Sequence, residues 1–507
     1  MSIHNTKYTN FYILLFFLLC YIAMSFTEVI YAGYGLGFDG VMYWKLVSEY
    51  KFSETGQLSA YHLKRCVPSF TVRFTITFLN KIASLFHLST ISYSAKSIIV
   101  AFKILNISCL LGSNFLLLRL LDKFIDNIDW KKKFLASSLL FIGFGTLKMP
   151  FFQPVFTDTP ALFLGTLMLY AFLEKRSYLL VLVTFLGYFT FPPLPFMGIL
   201  LLVFPYKYES KLAIDVPNLI SRHSKLFSLL FAILSTLFIA ISLYLIFRED
   251  TSKYITSGTN PTNMPFLYIS VVLMLVYMFF LTKHLFITEL VYKALYILSK
   301  RWWLLFILIA CYAGFSEAVE QIANRDVVLN VQRELPLALF MSVQNPLIFL
   351  VAHITYTGIL SIFIMLHYKT LLAKVNFLGL GYYAVITGFL LLSFQSETRK
   401  LTPALPFFIF ILILVFEKYT FNARFYLTVF VLQIIISKIW YPINQEPMQS
   451  YKDAYLSYPW QNYFMNSGPW MAYEVYYIKV VLSIIIFLVV FFIQRNSTNN
   501  KLSSETI

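Results

Sequence analysis

The sequence predicts an all-α fold, a polytopic transmembrane helical bundle of about 12–14 spans, on three observations. Of its 507 residues 59% are hydrophobic and only 13% are charged, about half the roughly 25% charged content of a soluble domain. Apolar runs of roughly 20 residues recur from end to end, each long enough to cross about 30 Å of hydrocarbon. Basic residues gather in alternate loops, as the positive-inside rule expects. Together these exclude a soluble enzyme and a nucleic-acid-binding module. The net charge of +16 is accounted for by basic loops that face anionic lipid.

In chain order the expected spans are 11–31, 95–118, 134–148, 159–173, 178–190, 194–206, 226–247, 266–282, 302–318, 345–367, 375–394, 402–417, 423–440 and 474–493. The first run, Phe11–Ile30, is long and uninterrupted and reads as a retained span. The spans 178–190 and 194–206 are short and meet at Phe191-Pro192-Pro193-Leu194-Pro195, the pattern of a broken or re-entrant pair. Residues 71–87 (TVRFTITFLNKIASLFH) carry Arg73 and Lys81 among apolar residues at helical spacing. They read as an amphipathic helix lying on the interface without crossing it.

With the N-terminus and C-terminus both cytoplasmic, the inner segments hold 22 of the 40 basic residues against 9 of the 24 acidic ones. The outer loops are then 32–94, 149–158, 316–345, 395–400 and 441–473, all part of a single integral membrane domain, 1–507. The four cysteines (Cys20, Cys66, Cys109, Cys311) and seven histidines show no ligand spacing, so neither a disulfide framework nor a metal site is expected.

Carboxylates at membrane depth are costly unless they work or are paired, which singles out two acids at span ends. Asp39 follows the glycine- and tyrosine-rich stretch YAGYGLGF and precedes Gly40, Tyr43 and Trp44. Asp158 lies between threonines ahead of Pro160, in FFQPVFTDTP. Either can serve as a general base toward an acceptor hydroxyl, and either can simply end or cap a helix. Arg65, Lys148, Arg325, Arg333, Arg399 and Lys400 are the candidate phosphate clamps, arginine being suited by its planar fork. Glu397 and Arg399 share the turn QSETRK. Tyr43 and Trp44 read either as platforms for a sugar ring or as interfacial belt residues. The glycines before Asp39 read as room for backbone to pass close to a bulky substrate.

As a set, these residues resemble the C-type fold class of glycosyltransferases (GT-C), polytopic enzymes that take a sugar from a lipid-phosphate carrier. Gly37-Phe38-Asp39-Gly40-Val41-Met42-Tyr43 is similar to the first-loop signature G-x-D-G-x-x-Y. Tyr61-His62-Leu63-Lys64-Arg65-Cys66-Val67-Pro68 is similar to a Y-x-x-x-R-x-x-P element of bacterial members, and the helix expected at 71–87 matches the interfacial helices of the class. Asp158 stands where a second acid is common, and Glu397-Thr398-Arg399 with Pro403 and Pro406 looks like the later E-x-R…P-x-x-P turn. The class often has a basic residue near the short fifth and sixth spans, but this chain has Phe189-Thr190-Phe191-Pro192-Pro193.

The resemblance implies transfer of a sugar from a polyprenyl-phosphate donor to a glycan, lipid or protein acceptor. The reaction would take place at the outer, periplasmic face of a bacterial inner membrane. Asp39 and Asp158 would be catalytic, with Tyr43, Arg65, Lys148, Arg325, Arg333, Glu397 and Arg399 binding substrate or phosphate. No cofactor and no nucleic acid are implied, and the need for a divalent ion stays open. The alternatives are a glycan polymerase or ligase using a lipid pyrophosphate carrier, for which Arg325 and Arg333 would matter, and a transporter or flippase of lipid-linked sugars. A transporter places functional charges near mid-membrane, where Lys103 is the clearest one in this chain.

Overall fold

Apolar helices that cannot leave backbone groups unpaired in lipid dominate the architecture. The computed structural model describes residues 3–30, 32–37, 39–49, 58–126, 128–207, 217–248, 266–323, 334–375, 377–440 and 473–502. The first helices are α1 (Ile3–Ser25), α2 (Gly40–Ser48), α3 (Ala60–Leu63), α4 (Val67–Leu85), α5 (Ala95–Phe124), α6 (Trp130–Phe141) and α7 (Met149–Phe152). Then come α8 (Asp158–Leu173), α9 (Ser177–Tyr188), α10 (Pro193–Val203), α11 (Asn218–Arg222), α12 (Ser224–Arg248), α13 (Leu267–Leu285) and α14 (Thr288–Ile322). The last are α15 (Glu334–Ser342), α16 (Ile348–Thr357), α17 (Ile359–Val375), α18 (Leu380–Leu392), α19 (Leu405–Phe416), α20 (Ala423–Ser437) and α21 (Tyr473–Leu502).

Seven of the described helices are long and apolar enough to cross a membrane, or up to nine if each of two bent pairs is one crossing. This is a multi-pass helical membrane protein. Five further apolar helices, among them α8, α9, α10, α18 and α20, have 10–17 residues. At 1.5 Å per residue these fall short of a full crossing, which is why the count lies below the 12–14 spans expected.

Helix α19 is the hub. It is apolar on every side and almost wholly buried, the pattern of a helix surrounded by others, and it packs on α6, α8 and α17. By contrast α12, α13 and α14 turn exposed Leu, Ile, Phe and Trp side chains outward, the surface expected against lipid.

Two expected spans are bent. The segment 134–148 breaks between Phe141 and Phe144 by 77°, and 345–367 breaks at Gly358 by 120°. Gly358 has φ +75°, and a Cβ there would meet Gln433 Oε1 at 2.2 Å. Gln433 seals this second break. Its Oε1 accepts from Ile359 N (2.8 Å) and its Nε2 donates to the Thr357 carbonyl (3.1 Å). The 71–87 segment is helical as α4, and Pro68 sits in its first turn, where no amide donor is needed. Val72 and Ile76 pack inward while Phe74 and Phe78 are exposed, and Arg73 Nη1 donates to the Val47 carbonyl at 2.6 Å.

The polar groups gather at two ends. At one end Asp122 pairs with Lys133 and accepts from Asn10, while Lys123 pairs with Glu174 at 2.6 Å. At the other, the first-loop helices pack on the tips of α5, α9 and α14. Val67 N donates to the Phe189 carbonyl (3.0 Å), Lys64 pairs with Glu320 (3.3 Å), and Tyr188 bonds Ser316 (2.9 Å). Lys103 does not face a mid-membrane path. It donates to the Ser25 and Thr27 carbonyls and closes the end of α1.

Helix α8 touches the Thr398–Ala404 turn so closely that a Cβ on Gly165 would lie 2.1 Å from the Pro403 carbonyl oxygen. Gly165→Ala is therefore expected to lower stability by about 1–3 kcal/mol through overpacking. The control is Gly314→Ala, where nothing lies within 4 Å and no loss is expected. Thermal unfolding in detergent compares the two, and equal midpoints would contradict the packing.

Candidate functional site

The site is assembled from three loops that the bundle brings together at one end. Asp39 stands immediately ahead of α2 but its carboxylate makes no capping bond. Instead Tyr61 Oη donates to Asp39 Oδ2 at 3.3 Å, and His62 Nε2 lies 4.0 Å from Oδ1. The reading of Asp39 as the end of the first helix is corrected, because α1 stops at Ser25 and Asp39 begins a separate helix. His62 is held on its other side by a 2.8 Å contact between Nδ1 and Ser59 Oγ. Burial pushes the His62 imidazole below its usual range, against the pull of Asp39, and Arg65 pushes it the same way as burial.

Arg65 is buried, its guanidinium 3.9 Å above the Tyr61 ring and 5.3 Å from Phe191. Stacking on both rings holds the cation in place while its Nε keeps no hydrogen-bond acceptor among the described residues. Phe191, from the Phe-Pro-Pro turn between α9 and α10, thus supplies the second ring. Tyr43 is 2% exposed and packs edge-on against His62 at 5.7 Å. This rules out the lipid belt for Tyr43 and leaves its hydroxyl, beside Arg65, to reach the cluster. Trp44 is tied down by donation to the Tyr93 carbonyl at 3.2 Å.

Asp158 is the first residue of α8, preceded by Thr157, and is 8% exposed. It is not the N-cap, and its Oδ1 has no partner among the described residues. Burial pushes its carboxyl above the usual range, while Arg399 and Arg65 pull the other way without prevailing. Glu397 lies in the same field with the opposite result. Burial raises its carboxyl, but Arg399 (Nε to Oε1, 2.5 Å) and Lys400 (Nζ to Oε2, 3.1 Å) outweigh burial and hold it down at about 2. Arg399 sits 5.7 Å from the Phe156 ring and feels Tyr61 and Asp158 as well as Glu397. Asp39, Arg65, Asp158, Glu397 and Arg399 therefore form one electrostatic neighbourhood.

Not every expected residue joins it. Lys148 is buried beside Glu28 at the end of the first helix. Arg325 and Arg333 lie outside the described residues, as does the aromatic stretch 441–472. The glycines before Asp39 do not leave space for substrate on that side. A Cβ on Gly37 (φ +81°) would lie 3.1 Å from Gln153 Nε2, so protein fills the gap.

Sequence reasoning missed Gln153, Thr157, Tyr356, Ser396 and Thr402. All are buried, and Tyr356 lies in the field of Asp158, Arg399 and Glu397. Among the described residues the Gln153 amide, the hydroxyls of Thr157 and Ser396, and His62 Nε2 have no hydrogen-bond partner. Buried polar atoms are paired in the great majority of cases, and several that are not paired among the described residues lie around these charges. The threonines of FTDTP and the serine of QSETRK carried the only signal in the sequence, by adjacency to the acids. No group of three or more metal-ligating side chains occurs among the described residues.

No family model, no curated protein and no solved structure matches this chain. Fold and site together define a multi-pass helical membrane protein with a cluster of charges, partly buried, at one end of its bundle.

The opposite fates of Asp158 and Glu397 give a pH prediction. Glu397 has a carboxyl lowered from 4.5 to about 2, so it contributes stability that is present above pH 4.5 and lost as pH falls toward 2. Thermal midpoints of wild type are expected to drop across that interval. Glu397→Gln should start lower at neutral pH, where Arg399 and Lys400 lose their counter-charge, and should show a smaller drop. A drop as large as that of wild type would remove the role of Glu397.

Proposed function

We propose that the protein is a membrane glycosyltransferase of the GT-C type that moves a sugar from a polyprenyl-phosphate carrier to an acceptor hydroxyl. The observation that carries this reading is the convergence of Asp39, Asp158, Arg65 and Glu397–Arg399 in one neighbourhood rich in unpartnered buried polar atoms. A purely structural bundle has no use for such a cluster.

In the reaction the acceptor oxygen forms the new bond to the anomeric carbon. The bond from that carbon to the carrier phosphate oxygen breaks, and the electron pair leaves with the phosphate. The acceptor proton passes to a carboxylate. Asp158 suits that task because burial gives it a raised proton affinity, and Asp39, held by Tyr61, orients the acceptor. Arg65 and Arg399 offset charge on the departing phosphate in a setting where water is largely excluded. Glu397 keeps Arg399 in place. The carrier tail fits the groove of about 490 Å³ between α4 and α5, lined by Val72, Ile76, Leu79, Val100 and Ile104. That groove begins at Thr71, six residues after Arg65. The site end is the periplasmic face of a bacterial inner membrane in this reading, with both termini cytoplasmic.

Transport of a lipid-linked sugar is the second reading, favoured by the broken helix at Gly358, since transporters place such breaks at binding sites. Here Gln433 occupies the freed backbone groups, which supports the enzyme over the carrier.

Asp39→Asn and Asp158→Asn are each expected to reduce sugar transfer at least about 100-fold, the scale of a lost acid–base or orienting carboxylate. The assay follows label from a polyprenyl-phosphate sugar into acceptor by purified protein of unchanged thermal midpoint. Undiminished transfer by folded Asp39→Asn would sink the assignment. Movement of intact donor across vesicles without transfer would favour the second reading.

A further inference from the structure

His62 stands beside Asp39, and the proposed reaction gives it no part. Its ring is bracketed at both nitrogens. Ser59 Oγ lies 2.8 Å from Nδ1, and Asp39 Oδ1 lies 4.0 Å from Nε2. Ser59 is buried immediately ahead of α3, where its hydroxyl caps no backbone amide. The hydroxyl is committed instead to the ring three positions on. Tyr43 and Tyr61 close on that ring edge-on at 5.7 and 5.2 Å, which leaves it little room to turn.

This bracket decides which nitrogen carries the proton. A neutral imidazole has one N–H and one lone pair, and the bond made by one nitrogen sets the state of the other. A lone pair on Nε2 would face the Asp39 carboxylate, negative against negative. With the lone pair on Nδ1, Ser59 donates to it and Nε2–H points at the carboxylate, so both contacts are favourable. We infer that His62 is a positioning residue for Asp39, its Nε2–H fixed by Ser59 and aimed at Oδ1. Tyr61 Oη donates to Oδ2 at 3.3 Å, so each carboxylate oxygen has its own neighbour from α3. A separation of 4.0 Å is longer than a hydrogen bond, as such contacts often are before substrate binds, and it is expected to shorten when an acceptor is seated. The inference rests on the reading of Asp39 as the group that orients the acceptor.

The surroundings favour the neutral ring that this role needs. Burial pushes the imidazole below its usual range, Asp39 pulls it back, and Arg65 adds to the push. From α14, Glu320 also reaches this helix, but it is paired with Lys64 at 3.3 Å. A neutral donor directs the Asp39 carboxylate and leaves its negative charge for the acceptor hydroxyl, where an imidazolium would cancel it.

The first measurement needs no substrate. Deuterium exchange at the His62 Cε1 hydrogen, read by mass spectrometry on purified full-length protein in detergent, gives the pH midpoint of this one ring. Asp39→Asn is expected to lower that midpoint by about one unit, because it removes an adjacent opposite charge. Ser59→Ala is expected to raise it, because a hydroxyl that donates to Nδ1 favours the neutral ring. If Asp39→Asn does not fold, Asp39→Ser takes its place. An unchanged midpoint in the folded Asp39 variant, or a midpoint in Ser59→Ala that does not rise, overturns the inference whatever the protein does to sugars. The second measurement is steady-state sugar transfer. Glutamine carries an amide N–H near the position of Nε2, whereas asparagine carries one near Nδ1. His62→Asn is expected to lower kcat by about 10-fold or more with little change in donor KM, the scale of a misaligned reacting group, and His62→Gln should restore most of the loss. Transfer by His62→Asn that equals or exceeds that of His62→Gln overturns the inference. If wild type transfers no sugar, the enzyme reading fails, and the exchange midpoints still decide whether His62 and Asp39 act as a pair.

Discussion

The ion pair between Glu397 and Arg399 is the constraint on which the rest of the site depends. Two charges in a setting this apolar persist only when each answers the other, and leaving one behind is costly. Lys400 adds a second cation to Glu397, so the group carries net positive charge, which the neighbouring carboxylates Asp158 and Asp39 partly balance. The backbone beneath is equally fixed. The Thr398–Ala404 turn lies against α8 at Gly165 with no space for a single carbon. Below it, Thr398 donates its hydroxyl to His353 Nδ1 (2.9 Å) while His353 Nε2 donates to the Ser393 carbonyl (2.6 Å). Turn, helix and histidine together hold Arg399 where it faces Tyr61 and Asp158.

The buried polar groups of this protein fall into two kinds, and the difference is informative. Asn106 donates to the Pro150 and Pro154 carbonyls at 2.8 Å each and so folds the second loop. Gln433 closes the break at Gly358, and His353 links the span end to the Thr398 turn. Each of these makes bonds that the backbone needs, although Asn106 Oδ1 has no partner among the described residues. Gln153, Thr157 and Asp158 are as deeply buried, and each retains a polar atom without a partner among the described residues. These three lie within six residues of one another, so their unpartnered atoms are gathered in one stretch of chain. The interlocked helices around them carry the cost.

The sequence made much of this legible, and for identifiable reasons. Apolar run length marks α1, α5, α12, α13 and α21 without ambiguity, because a long run in a polytopic chain has only one stable environment. Ion pairs form at both ends of the bundle, Asp122–Lys133 and Lys123–Glu174 at one and Lys64–Glu320 and Glu397–Arg399 at the other. Asp39, Arg65, Asp158 and Arg399 were identifiable as charges at span ends. The breaks at 141–144 and at Gly358 were not, because what stabilises the latter is Gln433, some 75 positions away in the chain. Tyr356 was hidden for a similar reason, since it is one more aromatic residue in an apolar run until the bend at Gly358 turns its helix.

The misreadings share a physical cause. The glycines before Asp39 were read as room for substrate, but it is Gln153 that comes within 3.1 Å of where a side chain on Gly37 would begin. Tyr43 was read as a surface ring, but it is wedged beneath His62. Lys148 was read as a phosphate clamp, but Glu28 lies beside it. In each case the sequence showed a residue type capable of meeting a ligand, and the folded chain supplied its own partner first. Arg65 shows the converse. Its stacking on Tyr61 and Phe191 occupies the faces of the guanidinium and leaves the hydrogen-bonding edge of Nε unsatisfied. The rings that hold this cation come from two separate loops, and neither stretch of sequence announces the other.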